Sequence, residues 1–103
     1  MITEHAGQRY LVSMLGEVNW VRNVRAAGGS AVLRHGRREE VRLVEVPAEF
    51  RAPILRRYLE VAPGARPHIP VDRRAPLDDF EQVAAQFPVF RITASATGRP
   101  GSS

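Results

Sequence analysis

A chain of 103 residues has room for one domain and one modest core. Its 44% hydrophobic and 25% charged residues are ordinary globular usage, and no apolar run approaches the roughly 20 residues that a membrane-spanning helix needs. The absence of cysteine excludes disulfides, thiol nucleophiles and cysteinyl metal sites, and the net charge of +4 comes from fifteen arginines without a single lysine. These arginines are scattered among eleven acids, with no dense basic run and little aromatic interleaving, which argues against a nucleic-acid partner. The opening Met1-Ile2-Thr3-Glu4-His5 lacks the basic start and apolar stretch of a signal peptide. The pattern predicts a soluble, cytoplasmic protein with no transmembrane segment.

Residues 1–8 carry no clear periodicity and read as a loose N-terminus. Tyr10-Leu11-Val12-Ser13-Met14-Leu15 is a short apolar run that stops at Gly16, as a buried strand would. From Asn19, the spacing of Trp20, Val24 and Ala27, with Arg22 and Arg25 on the other side, predicts an amphipathic helix. Asn19 is suited to cap it and Gly28-Gly29 to end it. Ser30 to Arg34, a His35-Gly36 turn and an alternating run from Arg38 to Val46 predict a β-hairpin.

Pro47 breaks the second of these strands. Phe50, Ile54 and Tyr58, with Leu55 and Leu59, then form a helical stripe, and Pro53 sets the regular start near Ala52. The helix should stop before Pro63-Gly64, and Arg66 to Arg74 is hostile to helix through Pro67 and Pro70. Pro76 suits the first turn of another helix, with Asp78 and Asp79 near its positive end and Leu77, Phe80, Val83, Ala84 and Phe87 on one face. Pro88 ends it, Val89 to Ile92 reads as the last strand, and Thr93 to Ser103 as a flexible tail. The expected order is β-α-β-β-α-α-β, a single α+β domain over residues 1–92. Its sheet edges need covering, for which a homodimer is one answer.

Catalytic constellations are thin. His5, His35 and His68 are far apart in sequence, none follows another ligand-type side chain at the i+4 spacing, and no metal motif is present. Ser13, His68 and Asp72 can be written as a triad, but Ser13 lacks the Gly-x-Ser-x-Gly elbow. More coincides between Tyr10 and Gly29, where strand, glycine turn and helix start follow one another. Backbone N–H groups at Gly16 to Val18 and in the first helical turn would be free for a ligand. Asn23 lies three residues after Trp20, which sets an amide beside a large aromatic. On the bland reading Trp20 is core and Asn23 bonds a loop carbonyl.

Ser13-Met14-Leu15-Gly16 followed by Asn19-Trp20-Val21-Arg22-Asn23-Val24-Arg25-Ala26-Ala27-Gly28-Gly29 resembles the actinobacterial nitroreductase and quinone-reductase family that uses the deazaflavin coenzyme F-420. The resemblance runs from about Arg9 to Ile92, and the later hairpin, the helix from Arg51 to Leu59 and the strand Pro88 to Ile92 agree with it in order and spacing. It implies a split β-barrel of the FMN/F-420-binding type, and reduction of an organic substrate by hydride from the deazaflavin, with no catalytic side chain required. It also implies cofactor contacts from Ser13, Met14, Leu15, Gly16, Trp20 and Asn23, with FMN as the second choice of cofactor. The family's Arg-x-Thr-Gly-like phosphate segment has no counterpart in Met1 to Gln8, and its pocket tyrosines have none between Ala62 and Arg74. The expectation is therefore a shortened member with an incomplete barrel and reduced or no activity. The alternative is a non-catalytic, cofactor-free dimeric interaction module of the same fold.

Overall fold

Alternation of side chains builds the sheet, and two helical layers cover parts of its two faces. The computed structural model describes residues 2–34 and 38–94. Five strands, β1 (Ile2–His5), β2 (Gln8–Val12), β3 (Ser30–Arg34), β4 (Arg38–Glu45) and β5 (Val89–Ala94), form one open antiparallel sheet in the order β1-β2-β5-β4-β3. Three α-helices, α1 (Asn19–Ala26), α2 (Ala52–Val61) and α3 (Leu77–Val83), are accompanied by short 3-10 turns at Ala48–Phe50, Pro63–His68 and Ala84–Gln86. The fold is α+β, as the element pattern predicts.

The last strand to be made is the central one. Arg9 to Val12 of β2 face Ile92 to Val89 of β5 on one side, and Val41 to Glu45 of β4 face Ala94 to Phe90 on the other. The two hairpins β1-β2 and β3-β4 are thus joined only when β5 enters between them. Successive residues of β5 point to opposite faces, so Val89 joins one core while Phe90 and Ile92 join another.

One core lies under α2 and α3. Ile54, Leu55, Tyr58 and Leu59 of α2 meet Val12, Phe80, Phe87 and Val89 there. The other lies under α1, where Val21 and Val24 meet Val41, Leu43, Phe90 and Ile92. Each fully buried apolar side chain of this size contributes about 1.5–3 kcal/mol. The Trp20 ring leans on Phe90, their centroids 5.8 Å apart and their planes at 55°.

Several boundaries differ from the sequence pattern. The N-terminus is not loose, because Ile2–His5 pairs with β2 through a turn in which Ala6 takes a left-handed φ of 52°. Val18 rather than Asn19 precedes α1, and Asn19 makes no capping hydrogen bond. Ala27 is exposed beyond the helix end, whereas Val21 is fully buried, so the buried stripe is turned one position from the one expected. Phe50 is outside α2 and 61% exposed. Pro63–His68 forms a 3-10 turn in spite of Pro67, and β5 continues through Thr93 and Ala94, which hydrogen-bond geometry ties to Arg42 and Val41. The His35-Gly36 turn and the tail after Ala94 lie outside the described residues.

Candidate functional site

At the C-terminal end of β2 the chain leaves the sheet, where Leu11 packs against the core under α1 and Val12 belongs to the core under α2 and α3. Ser13 N–H donates to the Pro88 carbonyl at 2.9 Å, which holds the exit of β2 to the entry of β5. The Ser13 hydroxyl, 2% exposed as a residue, donates to the Gly16 carbonyl at 2.5 Å, and Gly16 turns the chain with a φ of +83°. Glu17 and Val18 then lead directly into α1. Met14 is fixed from the far side, where the buried Tyr58 hydroxyl donates to its sulfur at 3.7 Å. Burial raises the Tyr58 pKa, which favours the neutral phenol that donates to the Met14 sulfur.

These residues bound a cavity of about 610 Å³. Its walls are Leu11, Val12, Ser13, Met14 and Leu15 from the strand and loop, and Val18, Asn19 and Trp20 from the start of α1. That volume is within the range of small-molecule sites, and the apolar walls with a few polar atoms match their usual make-up. Leu15 is 63% exposed at the rim, an open position for an apolar side chain. Among the described residues, the backbone N–H groups of Met14, Leu15 and Glu17 donate to no backbone carbonyl, and neither do those of Asn19 and Trp20 at the first turn of α1.

Of the residues singled out from the sequence, Ser13, Met14, Leu15 and Trp20 share this cavity. Gly16 shapes the loop but is not part of the wall. Asn23 is exposed one turn further along α1, and its carbonyl accepts the Ala27 N–H at 3.0 Å. The cavity does not include it. The expectation of free N–H groups at Gly16 to Val18 holds for Glu17 alone, since Gly16 N–H donates to Ser13 O and Val18 N–H to Gly16 O. Leu11, Val12, Val18 and Asn19 are walls that the motif reading passed over. Alternation along β2 could have located Leu11, because it shares the face of Phe90, its register partner.

The chemistry available is narrow. No wall residue is acidic, basic or a histidine, so the cavity has no proton-transfer group of its own. Ser13 is committed to Gly16, while His68 and Asp72 are exposed on the segment between α2 and α3, and no triad is assembled. Nearby charge is also committed. Arg22 donates to the Asn19 side chain at 3.3 Å and to the Glu17 carbonyl at 3.4 Å. Arg25 donates to both oxygens of Glu17 and to Glu45, at 3.0 and 2.6 Å. What this geometry can do is hold an apolar ring by its faces and hydrogen-bond its edge from the backbone. No family model, curated protein or solved structure matches the chain.

Proposed function

We propose that the domain binds a planar heteroaromatic cofactor in the cavity beside Trp20, with deazaflavin F-420 the first choice and FMN the second. It would act as an oxidoreductase of the nitroreductase and quinone-reductase kind, in a sheet that is part of a split β-barrel. The observation that carries this reading is the coincidence of the apolar cavity with the strand, loop and helix that bear the family resemblance. The fit covers the ring. Leu11, Val18 and Trp20 supply apolar surface, and the free N–H groups of Met14 and Leu15 supply donors for carbonyl or ring-nitrogen edges.

When bound, the coenzyme supplies the hydride. The chain's own residues position the ring and shield it from water, which is consistent with walls that carry no acid or base. No arginine lines the cavity, so the anionic tail of such a coenzyme has no charged partner there, and affinity would rest on the ring alone. A second reading, a cofactor-free dimeric interaction module, draws support from the exposure of Leu15 and Phe50.

Titration with oxidised and reduced F-420 and with FMN, followed by fluorescence, tests the proposal. Saturable binding below roughly 1 mM that weakens about tenfold in Trp20→Ala supports it. Asn23→Ala separates the cavity from the wider motif, since an exposed Asn23 outside the walls should change affinity little. No saturation with any of the three ligands sinks the enzyme reading.

A further inference from the structure

A second cleft lies on the sheet face opposite to α1, between β2, β5 and β4 and the approach to α2. Register sets its floor. Arg91 of β5 stands directly between Tyr10 of β2 and Val44 of β4. His5 and Ile54 flank this row, Phe50 stands at the rim with 61% of its surface exposed, and the space enclosed is about 360 Å³. Arg91 is half-buried in the middle strand, yet among the described residues it has no carboxylate partner and no hydrogen bond to a carbonyl. Its guanidinium therefore meets solvent in the cleft and carries no counter-charge among the described residues, which leaves its planar fork open to an anion.

The acid that borders the cleft does not compensate it. Glu45 is held by Arg25 at 2.6 Å and by Arg51 at 3.2 Å, so two cations already balance that single carboxylate. The cleft therefore combines an uncompensated planar cation, a phenol and an imidazole with apolar walls and an exposed aromatic ring. We infer that it is a binding site for a small carboxylate with an aromatic body. The carboxylate would be taken in forked fashion by Arg91, and the ring would rest between Val44 and Phe50. This site is separate from the cavity beside Trp20 and does not depend on what that cavity holds.

The test uses benzoate and its neutral isostere benzamide, titrated into the full chain and followed by two-dimensional NMR. Benzoate is expected to saturate with a Kd on the order of 1 mM, as suits so small a ligand, and to shift the signals of Tyr10, Val44 and Phe50. Benzamide is expected to bind at least about tenfold more weakly, because it brings no charge to Arg91. Arg91→Gln should lose about tenfold or more for benzoate, while Arg91→Lys, which keeps the charge but not the fork, should lose less. Thermal unfolding establishes that both variants are folded. If Arg91→Gln does not fold, the comparison of benzoate with benzamide and the Arg91→Lys titration decide. Equal binding of the two ligands, unchanged affinity in a folded Arg91→Gln, shifts centred on Trp20, or no saturation by roughly 50 mM would each overturn the assignment.

Discussion

The guanidinium of Arg51 donates to the carbonyl of Ala84, 33 residues later, at 3.0 Å from a position only 6% exposed. The same group reaches the Val46 carbonyl at 2.8 Å, the Phe87 carbonyl at 3.5 Å and Glu45 at 3.2 Å. One side chain thus ties the end of β4, the start of α2 and the turn after α3, none of which is adjacent in the sheet. Burial depresses its pKa, against the pull of Glu45, but arginine remains charged in any ordinary buffer. Arg51→Ala would leave several carbonyls short of a donor in a closed space. A loss of about 3 kcal/mol is expected, with Arg51→Lys recovering only part of it, as measured by urea unfolding.

Arg25 joins α1 to the same region by binding Glu17 and Glu45 together. Its hydrogen bonds hold both carboxyls below the ordinary range, and for Glu45 they outweigh the upward push of burial. A carboxyl whose pKa is depressed in the folded state adds stability above its unfolded pKa of roughly 4.3, and that stability is lost as pH falls through the folded value. Wild-type stability should therefore decline on acidification below about pH 4.3, and the gap between wild type and Arg25→Gln should narrow over the same range. Urea midpoints measured at neutral pH and on either side of the carboxyl titration check it. A gap that stays constant would assign Arg25 a packing role only.

Gly28 and Gly29 both close α1 with positive φ, at +66° and +92°, but they differ in what surrounds them. A Cβ on Gly29 would lie 2.5 Å from the Leu43 carbonyl oxygen, whereas one on Gly28 would meet nothing within 4 Å. Gly29 also accepts the Leu43 N–H at 2.7 Å, so the helix end and β4 approach through this contact. Gly28→Ala should cost about 1 kcal/mol, the ordinary penalty of a left-handed residue. Gly29→Ala adds a collision of backbone with side chain and should cost about 3 kcal/mol or more. Thermal unfolding of the two variants separates the effects.

Most of the elements were legible because their patterns were local. The alternation from Arg38 onward, the stripe of Ile54, Leu55, Tyr58 and Leu59, and the prolines at 47, 63, 76 and 88 mark elements that occur where expected. What escaped depended on partners distant in sequence. Ile2-Thr3-Glu4-His5 has one strongly apolar residue and an Ala-Gly turn in place of Asn-Gly, so only its pairing with β2 makes it a strand. Thr93 and Ala94 look like a tail, yet β4 offers them partners in Arg42 and Val41. The candidate site divides in the same way. Ser13, Met14, Leu15 and Trp20, to which the family resemblance points, border one cavity because they follow one another from the end of β2 to the start of α1. Asn23, to which both the resemblance and its spacing from Trp20 point, is exposed outside the walls, because neither decides which neighbour α1 turns toward the sheet. Arg91 carried no signal at all, because its environment arises only when β5 enters between β2 and β4.

Thr3 of β1 allows a prediction in the stabilising direction. It stands opposite Tyr10, on the sheet edge that α2 packs against, and is 3% exposed. Among the described residues its hydroxyl is buried without a hydrogen-bond partner. A hydroxyl that has lost water and gained no acceptor destabilises the fold, while the methyl group beside it contributes by burial. Thr3→Val exchanges the hydroxyl for a methyl at constant shape and keeps the β-branch that a strand favours. It should stabilise by about 1 kcal/mol, which for a domain of this size raises Tm by roughly 4–8 °C. Thr3→Ser retains the hydroxyl and removes the methyl, so it should fall below wild type. The order Val above Thr above Ser in thermal unfolding follows only if the hydroxyl is unsatisfied. Were Thr3→Val to lower Tm, the hydroxyl must have a partner in solution, and β1 would be held to α2 by a polar contact instead of by packing alone.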